Sequence, residues 1–447
     1  MRTKLNLLLP VLLICAFSCK KNNDTDNPGN PPVTTEADKL KDSTIEYTRD
    51  IYLWYKQIPT DFKQRSFADP GAIMEAIRAY SKEPGFSDPV DRWSFAIKQD
   101  EWDNISSGVA QDFGINVFFR QEGDLRIRTV EKASPAGKAG IHRSWRITAI
   151  NGSTNITTGN AEAIVDAIYY SNNVNLKLQK PDGTTTDVAL AAASYQQQPV
   201  ALDSVYSVGG KKAGYMVYNS FLGDSLQTMT EFQRVFNRFA AQNVNDVIID
   251  LRYNGGGFVL YQTALANYLV NNAGQGNLMM KQEYNDKYAQ YNSSVNFTKK
   301  GTLNLPRIFF IVSNSSASAS ELLINNLKPY MDVYLVGPNR TYGKPVGYFN
   351  IPVGDWYIFP VSSRTTNKNG DGNYFNGFEL NSTVADGLDK DWGDTGESCL
   401  ASALKYIGTG MFRAQSVEEY VPDQEINAIN TKLDNSFKGM VDRPKAF

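Results

Sequence analysis

Residues 307–337 read RIFFIVSNSSASASELLINNLKPYMDVYLVG, and this stretch decides the fold class. The apolar runs at 307–313 and 333–337 are typical of buried strands, and the leucine-rich segment between them has helical spacing until Pro329 ends it. A strand, a helix and a second strand in this order predict parallel strand pairing, because a helical crossover is the usual way to connect parallel neighbours. The pattern therefore favours an α/β core.

The same alternation continues upstream of this stretch. Strands are predicted at 213–221 and at the start of 246–257, and helices at 224–242 and 258–271. The core is therefore predicted over residues 196–412.

Three other segments flank this core, and each has a different character. Residues 37–107 are predicted to be helical, with one helix over 42–58 that begins at Asp42 or Ser43 and another that begins at Pro70. Residues 108–195 contain paired-strand patterns at 113–120 and 124–130, so a small β domain is predicted there. Residues 413–447 are predicted to form a polar tail.

The first residues resemble a targeting signal. Arg2 and Lys4 precede an apolar run, residues 7–17, that is too short to span a bilayer. The sequence AFSC at 16–19 resembles a bacterial lipoprotein signal, which implies that residues 1–19 are a signal peptide ending at a lipidated Cys19. Residues 20–36 are rich in Pro, Gly and Asn and are predicted to be a flexible tether. The protein is thus expected to be anchored to a bacterial membrane, facing the periplasm or the cell surface.

The composition excludes one class of partner and one kind of catalytic site. The 447 residues carry a formal net charge of −2, so no basic face for nucleic acid is expected. The chain has a single histidine, His142, which lies in the small β segment, so a Ser-His-Asp triad is not expected. Cys399 lies in an amphipathic helix pattern and is predicted to be a buried apolar residue.

Three stretches of the core could carry chemistry, and each has a structural alternative. The serines of 313–320 are helix caps or include a nucleophile; Ser318 and Glu321 have capping-box spacing, but one cap needs one hydroxyl. The glycines of 250–257 form a tight turn or offer amides to an oxyanion. Lys344 is an exposed loop lysine or, among the apolar residues of 341–349, a neutral general base. Together the three predict a seryl hydrolase with a Ser-Lys dyad.

A fourth stretch resembles a metal site only superficially. Residues 367–373 alternate oxygen-bearing side chains around a glycine, like the start of a calcium loop. A calcium loop has carboxylate ligands at its first and twelfth positions. Here these positions are Asn367 and Phe378, so a solvated hairpin tip is predicted instead. No metal and no cofactor are expected.

The core resembles the C-terminal processing peptidases, also called tail-specific proteases. The matching stretches are Gly214-Tyr215-Met216 with Phe221, Asp250-Leu251-Arg252-x-Asn254-x-Gly256-Gly257, residues 316–321, residues 341–344 and residues 377–386. With the flanking segments, the resemblance covers roughly residues 40–410. It implies a ClpP/crotonase-like core that is rich in parallel strands.

The resemblance also implies roles for particular residues. Ser318 would be the nucleophile, Lys344 the base, and the backbone amides of Gly256, Gly257 and Ala319 the oxyanion hole. Two departures from the family pattern concern the dyad. The Ser-to-Lys spacing is one residue longer than usual, and Tyr348 stands where the family often has a glutamine that orients the lysine, so its hydroxyl is a candidate for that task.

The segment 108–195 is similar to a PDZ domain of the bacterial protease type. The matching residues are Ser134-Pro135-Ala136, Ala139-Gly140-Ile141 and Ile150-Asn151-Gly152, whereas Arg143-Ser144-Trp145 replaces the usual Gly-Asp. The resemblance implies that the loop Phe113, Gly114 and Ile115 binds peptide ends. The alternative is a small β domain that acts only as a spacer.

These inferences together predict a serine endopeptidase that cleaves unfolded or C-terminal segments of proteins captured by the PDZ-like domain. Its partners would be protein or peptide substrates and, through the lipid anchor, a membrane. Two alternatives remain open. One is a catalytically inactive peptide-binding lipoprotein, and the other is an esterase on the same core.

Overall fold

The computed structural model describes residues 34–413, 424–434 and 437–442. The predicted signal peptide, Cys19 and most of the tether at 20–36 lie outside the described residues. Among the helices of the described ranges, none is both long and apolar enough to cross a membrane.

The N-terminal segment contains three helices and one strand. They are α1 (Glu36–Ile51), α2 (Pro70–Ile77), β1 (Phe95–Lys98) and α3 (Gln99–Ser107). The predicted helix over 42–58 is wrong at both ends. Thr35 caps α1 through a reciprocal pair of hydrogen bonds with Asp38, and α1 ends at Ile51 because Tyr52 has an extended backbone (ψ 135°). The second helix does begin at Pro70, with Asp69 as its cap.

The next segment folds as a small antiparallel β domain, which we call the insert domain (residues 109–196). Its strands and helices are β2 (Val109–Asp112), β3 (Ile115–Gln121), β4 (Asp124–Val130), α4 (Pro135–Lys138), β5 (Arg146–Ile150), α5 (Ala161–Val165, continued by a π-helical turn over Asp166–Tyr170), β6 (Asn173–Gln179), β7 (Thr185–Ala191) and β8 (Ala193–Gln196). Five strands form one sheet in the order β3-β4-β5-β6-β7, so β3 is an edge strand. The pair β2-β8 joins the points where the chain enters and leaves the domain.

The core is built on a six-stranded sheet of order β21-β16-β15-β11-β10-β9. Its neighbours pair in parallel except for β9 and β10, which form an antiparallel hairpin. The elements of this region are β9 (Val200–Val208), β10 (Lys211–Tyr218), α6 (Ser225–Ala241), β11 (Asp246–Asp250), β12 (Gly256–Phe258), α7 (Val259–Leu269), β13 (Leu278–Glu283), β14 (Ser293–Asn296), β15 (Arg307–Ile311), α8 (Ala319–Leu327), β16 (Asp332–Gly337), β17 (Val346–Gly347), β18 (Ile351–Val353), β19 (Trp356–Phe359), β20 (Ser363–Thr366), β21 (Ser382–Thr383) and α9 (Ser398–Thr409).

Helices cover both faces of this sheet. Apolar residues of α6, α7 and α8 pack on one face, and those of α9, including the buried Cys399, pack on the other. Because both faces are covered, the central strands read as continuous apolar runs, and all five residues of β11 are buried.

The N-terminal segment completes a sheet with the core. Strand β1 pairs antiparallel with β19, so that Phe95 lies opposite Phe359, and the Leu53 N–H donates to the Val361 carbonyl (2.9 Å). Residues more than 250 positions apart in sequence therefore share one sheet.

A buried charge network joins the insert domain to the core. Arg143, which is 1% exposed, forms an ion pair with Asp386 (2.6 Å) and donates to the Tyr253 hydroxyl (2.9 Å). Asp386 also binds Arg252 (2.8 Å), whose guanidinium pairs with Glu397. Burial alone would raise the pKa of Asp386, but Arg143 and Arg252 lower it to about 2. The sequence Arg143-Ser144-Trp145, which stands where PDZ domains of the bacterial protease type usually have Gly-Asp, thus supplies the arginine that fixes the insert domain to the core.

The described part of the C-terminal tail is also folded. It contains α10 (Gln424–Leu433), which packs beside β3 of the insert domain, and β22 (Gly439–Val441), which pairs in parallel with β12.

Candidate functional site

Three loops meet at one edge of the core sheet. They follow the carboxyl ends of β11, β15 and β16, which are neighbours in the sheet and run in parallel. The loops carry the glycines of 250–257, the serines of 313–320 and Lys344. Parallel strands place their carboxyl ends together, so the topology gathers the three predicted stretches into one site.

Ser318 stands immediately before α8 with an unusual backbone. Its φ is +60° and its ψ is −107°, a conformation that non-glycine residues rarely adopt. The residue is fully buried, and its Oγ has no hydrogen-bond partner within the described ranges. A strained serine with an unengaged hydroxyl at a strand-to-helix turn is the arrangement of a nucleophile elbow.

The other serines of this stretch bind the glycine-bearing loop. Ser316 Oγ donates to the Leu251 carbonyl (2.6 Å), Ser320 Oγ donates to the Asn254 carbonyl (2.9 Å), and Ser313 Oγ donates to the Arg252 carbonyl. These bonds satisfy buried carbonyls that the end of β11 leaves unpaired. The abundance of serines in the stretch is therefore explained by the need to hold two loops together.

The predicted oxyanion-hole amides lie close to one another. A Cβ placed on Gly256 would lie 3.0 Å from the Ala319 nitrogen, so the loop backbone passes directly beside the start of α8. Ala319 is the first residue of that helix, where N–H groups have no intrahelical acceptor. The Gly256 N–H itself donates to Asn254 Oδ1 (2.9 Å), which leaves Gly257 and Ala319 as the better candidates.

Lys344 is fully buried against aromatic rings. Its Nζ lies 3.8 Å from the centre of the Tyr348 ring and 5.8 Å from that of Trp93, and it donates to the Lys438 carbonyl (3.3 Å). Burial lowers the pKa of Lys344 well below its usual value, and the opposing influence of Asp91 and Glu321 does not cancel this effect. Lowering the pKa increases the fraction of Lys344 that is neutral at a given pH, and a neutral amine can accept a proton.

Glu321 joins the predicted nucleophile to the predicted base. Its Oε2 accepts hydrogen bonds from the backbone N–H groups of Ser318 (2.9 Å) and Lys344 (2.8 Å). Its Oε1 accepts from the Gly343 N–H (2.6 Å) and from Thr341 Oγ1 (2.6 Å). Burial raises the pKa of Glu321, and these four donors oppose the rise. The capping-box spacing indicated only the bond to Ser318, because the bonds to 341–344 depend on the fold.

Tyr348 contacts the lysine through its ring. The hydroxyl donates to the Lys438 carbonyl (3.4 Å), the same oxygen that Lys344 Nζ reaches. Tyr348 thus lies beside Lys344, and its ring face, not its hydroxyl, touches the amine.

The N-terminal segment adds two residues that sequence reasoning missed. Trp93 forms part of the Lys344 pocket, and the buried Asp91 raises the pKa of Lys344 through its charge. Asp91 accepts hydrogen bonds from Tyr52 Oη (2.8 Å) and Ser94 Oγ (2.6 Å), which hold it in place. Asp91 and Trp93 lie about 250 residues before Lys344 in the sequence. No local motif connects them to the lysine.

The predicted peptide-binding loop belongs to the insert domain and is not part of the group of residues around Ser318 and Lys344. Phe113 and Ile115 are buried in the insert domain, and Gly114 has a φ of +77°. Gly114 and Ile115 line a cavity of about 470 Å³ between the insert domain and the core, which also reaches Ser220 and Gly255.

Two residues that belong to other possibilities lie outside this site. They are His142, which a Ser-His-Asp triad would need, and Asn367, which would be the first position of a calcium loop. The His142 side chain is largely exposed, and its Nδ1 lies 3.0 Å from Asp391 Oδ2. Asn367 is buried, and its Oδ1 accepts from the backbone N–H groups of Asn369 and Asp371 (2.9 and 3.0 Å). The backbone amides of Asn369 and Asp371 therefore close the turn on Asn367; residues 368–371 form an exposed tip, whereas Asn367 itself is buried. In the described part of the chain, no group of three or more metal-binding side chains is found.

Comparison with known proteins shows which family models and which relatives these elements resemble. Residues 212–379 match the model of peptidase family S41, and residues 46–95 match the model of the peptidase S41 N-terminal domain. The chain is 24% identical over 329 residues to the carboxy-terminal processing protease CtpB of Bacillus subtilis (strain 168), covering 72% of this chain and 64% of that protein. It is 25% identical over 301 residues to the chloroplastic carboxyl-terminal-processing peptidase 3 of Arabidopsis thaliana, covering 64% and 56%. The match thus spans less than two thirds of the length of either relative.

The fold matches a solved structure over most of its length. A crystal structure from Bacteroides fragilis NCTC 9343, assigned to the S41 proteases, superposes with a TM-score of 0.68 at 24% identity. The superposition covers 82% of this chain and 96% of that one, so the two share the fold.

Proposed function

Since this chain carries the core and N-terminal domains of peptidase family S41, we propose that it is a serine endopeptidase of the C-terminal processing type. One observation carries the proposal. A strained serine with an unengaged Oγ and a buried lysine of lowered pKa are both bonded, through their backbones, to Glu321. Ser318 is the nucleophile and Lys344 is the general base.

The reaction proceeds through an acyl-enzyme. Ser318 Oγ attacks the scissile carbonyl carbon and gives its proton to the neutral amine of Lys344. The resulting oxyanion accepts hydrogen bonds from the backbone N–H groups of Ala319 and of Gly257 or Gly256. When the C–N bond breaks, the Lys344 ammonium returns the proton to the leaving amine. Water, deprotonated by Lys344, then hydrolyses the ester and regenerates Ser318.

The insert domain would act as a PDZ domain that captures peptide ends. Its strand β3 lies at the edge of the sheet, where a captured peptide could add as a further strand once the bonds of Asn430 to Phe119 are released. The 470 Å³ cavity between the insert domain and the core provides a path for an extended chain toward the glycine loop. The substrates are accordingly unfolded or C-terminal peptide segments.

We further propose that Cys19 carries a lipid anchor and that the protein faces the periplasm or the cell surface. The support is the AFSC sequence at 16–19. Radiolabelled fatty acid should be incorporated into the expressed protein and not into the Cys19→Ala variant. Equal labelling of the two proteins would contradict the anchor.

Substitution of the nucleophile tests the enzymatic proposal. Ser318→Ala should lower turnover of a peptide library by at least about 10³-fold, because the step that forms the acyl-enzyme is lost. The cleavage products are read by mass spectrometry. Ser294→Ala, at an exposed position of β14, is the matched control and should retain full activity. Full activity in Ser318→Ala would refute the assignment.

The pH dependence tests the base. The active form of Lys344 is neutral, so kcat/KM should rise as pH increases through the lowered pKa of Lys344 and then level off. The acid limb should lie below the range of an ordinary lysine. A rate that falls with increasing pH over this range would contradict a lysine base.

A further inference from the structure

The chain's own C-terminal segment, defined here as residues 424–434 and 437–442, contacts both the insert domain and the catalytic groups. We propose that this segment is a tethered inhibitor that occupies the peptide-capture edge and the catalytic cleft at the same time. The inference rests on the proposed peptidase function and identifies a regulator of that site.

Helix α10 lies on the edge strand of the insert domain. The Asn430 side chain accepts from the Phe119 N–H (2.9 Å) and donates to the Phe119 carbonyl (2.9 Å), which are backbone groups of β3. Leu433 and Ile426 are buried in the apolar cluster of the insert domain, next to α5. The contact uses the unpaired backbone of an edge strand, which is also what a captured peptide would use.

Asp434 connects α10 to the catalytic side. It forms an ion pair with Arg128 of β4 (3.1 Å), in which both side chains are about 5% exposed. It also accepts from Ser315 Oγ (2.8 Å), close to Ser318 in the sequence, and pairs with Lys438 (3.1 Å). A buried ion pair of this kind fixes the path of the segment toward the cleft.

Strand β22 then lies directly in front of the dyad. The Gly439 N–H donates to the Gly255 carbonyl (2.8 Å), and β22 pairs with β12, which carries the predicted oxyanion glycines. The Lys438 carbonyl accepts from Lys344 Nζ (3.3 Å), and the Asp442 N–H donates to the Tyr348 carbonyl (2.9 Å). The backbone of the segment thus fills the space beside the catalytic lysine that an extended substrate would need.

Close packing fixes the register of this strand. The Phe437 ring lies 5.3 Å from the ring of Trp102 and 6.1 Å from that of Phe95, so it occupies an aromatic pocket beside the cleft. A Cβ on Gly439 would lie 2.2 Å from Tyr348 Oη, and a Cβ on Gly255 would lie 1.8 Å from the Phe437 carbonyl. Both glycines are needed for the approach of the two backbones.

The geometry is that of an inhibitor and not of a substrate about to react. Lys344 Nζ donates to the Lys438 carbonyl, whereas Ser318 Oγ has no hydrogen-bond partner among the described residues. The Gly256 N–H is bonded to Asn254 Oδ1 (2.9 Å), so in this state it is engaged within its own loop. Because Lys344 Nζ is not hydrogen-bonded to Ser318 Oγ, direct proton transfer between them requires that the segment move and the amine be reoriented.

Release of the segment in the full-length chain tests the proposal. The variant Asn430→Ala/Gly439→Val removes the bond to Phe119 and introduces a clash with Tyr348. Its kcat/KM for a reporter peptide should be about 10-fold or more above that of the wild type. The matched control is Lys432→Gln/Gly159→Val, which alters an exposed residue of α10 and a glycine whose added Cβ would make only an ordinary contact, 3.9 Å from Thr157 Oγ1, and it should leave the rate unchanged.

A binding measurement separates this inference from the proposed function. A fluorescent peptide of residues 424–442 should bind to the released variant carrying Ser318→Ala, measured by anisotropy, and should not bind to intact Ser318→Ala, whose own segment fills the site. Binding with this pattern supports docking of the segment even if every variant lacks peptidase activity, which would refute only the proposed function. If the released variant is no more active than the wild type while both cleave the reporter, or if the peptide fails to bind the released variant, the inhibitor proposal is refuted. Cleavage of the wild-type chain at 438–439, seen by intact mass, would also refute it.

Discussion

At the scale of single residues, Glu321 is the most informative side chain of the site. It accepts four hydrogen bonds and lies where the serine-bearing and lysine-bearing loops meet. Its carboxylate also raises the pKa of Lys344 from within the same pocket. In the proposed mechanism, Glu321 is therefore a positioning residue that acts through both Ser318 and Lys344.

Glu321→Gln should lower kcat by about 10- to 100-fold, with a smaller change in KM, because one amide oxygen cannot accept all four donors. Loss of the negative charge also removes an influence that raises the pKa of Lys344, so the acid limb of the pH profile should move to lower pH. Steady-state kinetics across pH measure both effects. An acid limb that stays in place or moves to higher pH would contradict the electrostatic part of this role.

The backbone of Ser318 provides a second prediction at this scale. A positive φ destabilises the folded state by about 1–3 kcal/mol when the residue is not glycine. Glycine removes most of this strain, but it loses about 0.5–1 kcal/mol more in backbone entropy on folding. Ser318→Gly should therefore be more stable than Ser318→Ala by about 1 kcal/mol in urea unfolding. Both variants lack the hydroxyl, so the comparison isolates the backbone. A less stable glycine variant would show that the site is not strained.

At the scale of elements, the glycine loop and the start of α8 form one unit. A Cβ on Gly257 would lie 2.3 Å from the Phe221 carbonyl carbon, and the φ of Gly257 is +135°. Gly257→Ala should cost about 2–4 kcal/mol of unfolding free energy and should also lower peptidase activity strongly.

The matched control for this substitution is Gly276→Ala. Gly276 has a φ of +75°, but a Cβ added there would meet no atom within 4 Å, so only the backbone cost of about 1–2 kcal/mol applies. Thermal or urea unfolding of both variants measures the difference. Equal losses of unfolding free energy in the two variants would mean that the close contacts of Gly257 add nothing to the cost of its positive φ.

The elements that were predicted well are those with strong local periodicity. The sequence patterns of β11, β15 and α6 predicted these elements to within a few residues. A strand that is buried on both faces has a continuous apolar run, and a helix that is buried on one side has apolar residues at helical spacing. Helix α1 was placed wrongly because its cap at Thr35 lies in a segment whose composition suggested a tether.

The site was only partly predictable for a different reason. Ser318, Lys344 and the glycines belong to short motifs, so each could be located from nearby residues. Asp91, Trp93 and the four bonds of Glu321 depend on contacts between distant segments, which a single sequence does not encode locally. The tasks of Ser313, Ser316 and Ser320 were missed because their acceptors are backbone carbonyls.

At the scale of the whole molecule, the orientation of the insert domain depends on buried charge. Arg143→Met should cost about 3 kcal/mol, because it leaves the buried Asp386 with fewer partners. Arg146→Met is the control, since the Arg146 side chain is 42% exposed and lies 3.5 Å from Asp124, so the pair should contribute less than about 1 kcal/mol. Unfolding followed by two spectroscopic probes measures the effect. An Arg143 variant as stable as the Arg146 variant would indicate that the network does not hold the two parts together.

The pairing of β1 with β19 also constrains the order in which the molecule can be assembled. About 260 residues must follow Phe95 before its partner Phe359 becomes available. At a synthesis rate of about 5–20 residues per second this interval is roughly 13–50 s, far longer than helix or hairpin formation requires. During that time the aromatic residues around Trp102 have no partner strand to cover them. The nascent N-terminal segment therefore exposes these aromatic side chains until most of the chain has been made.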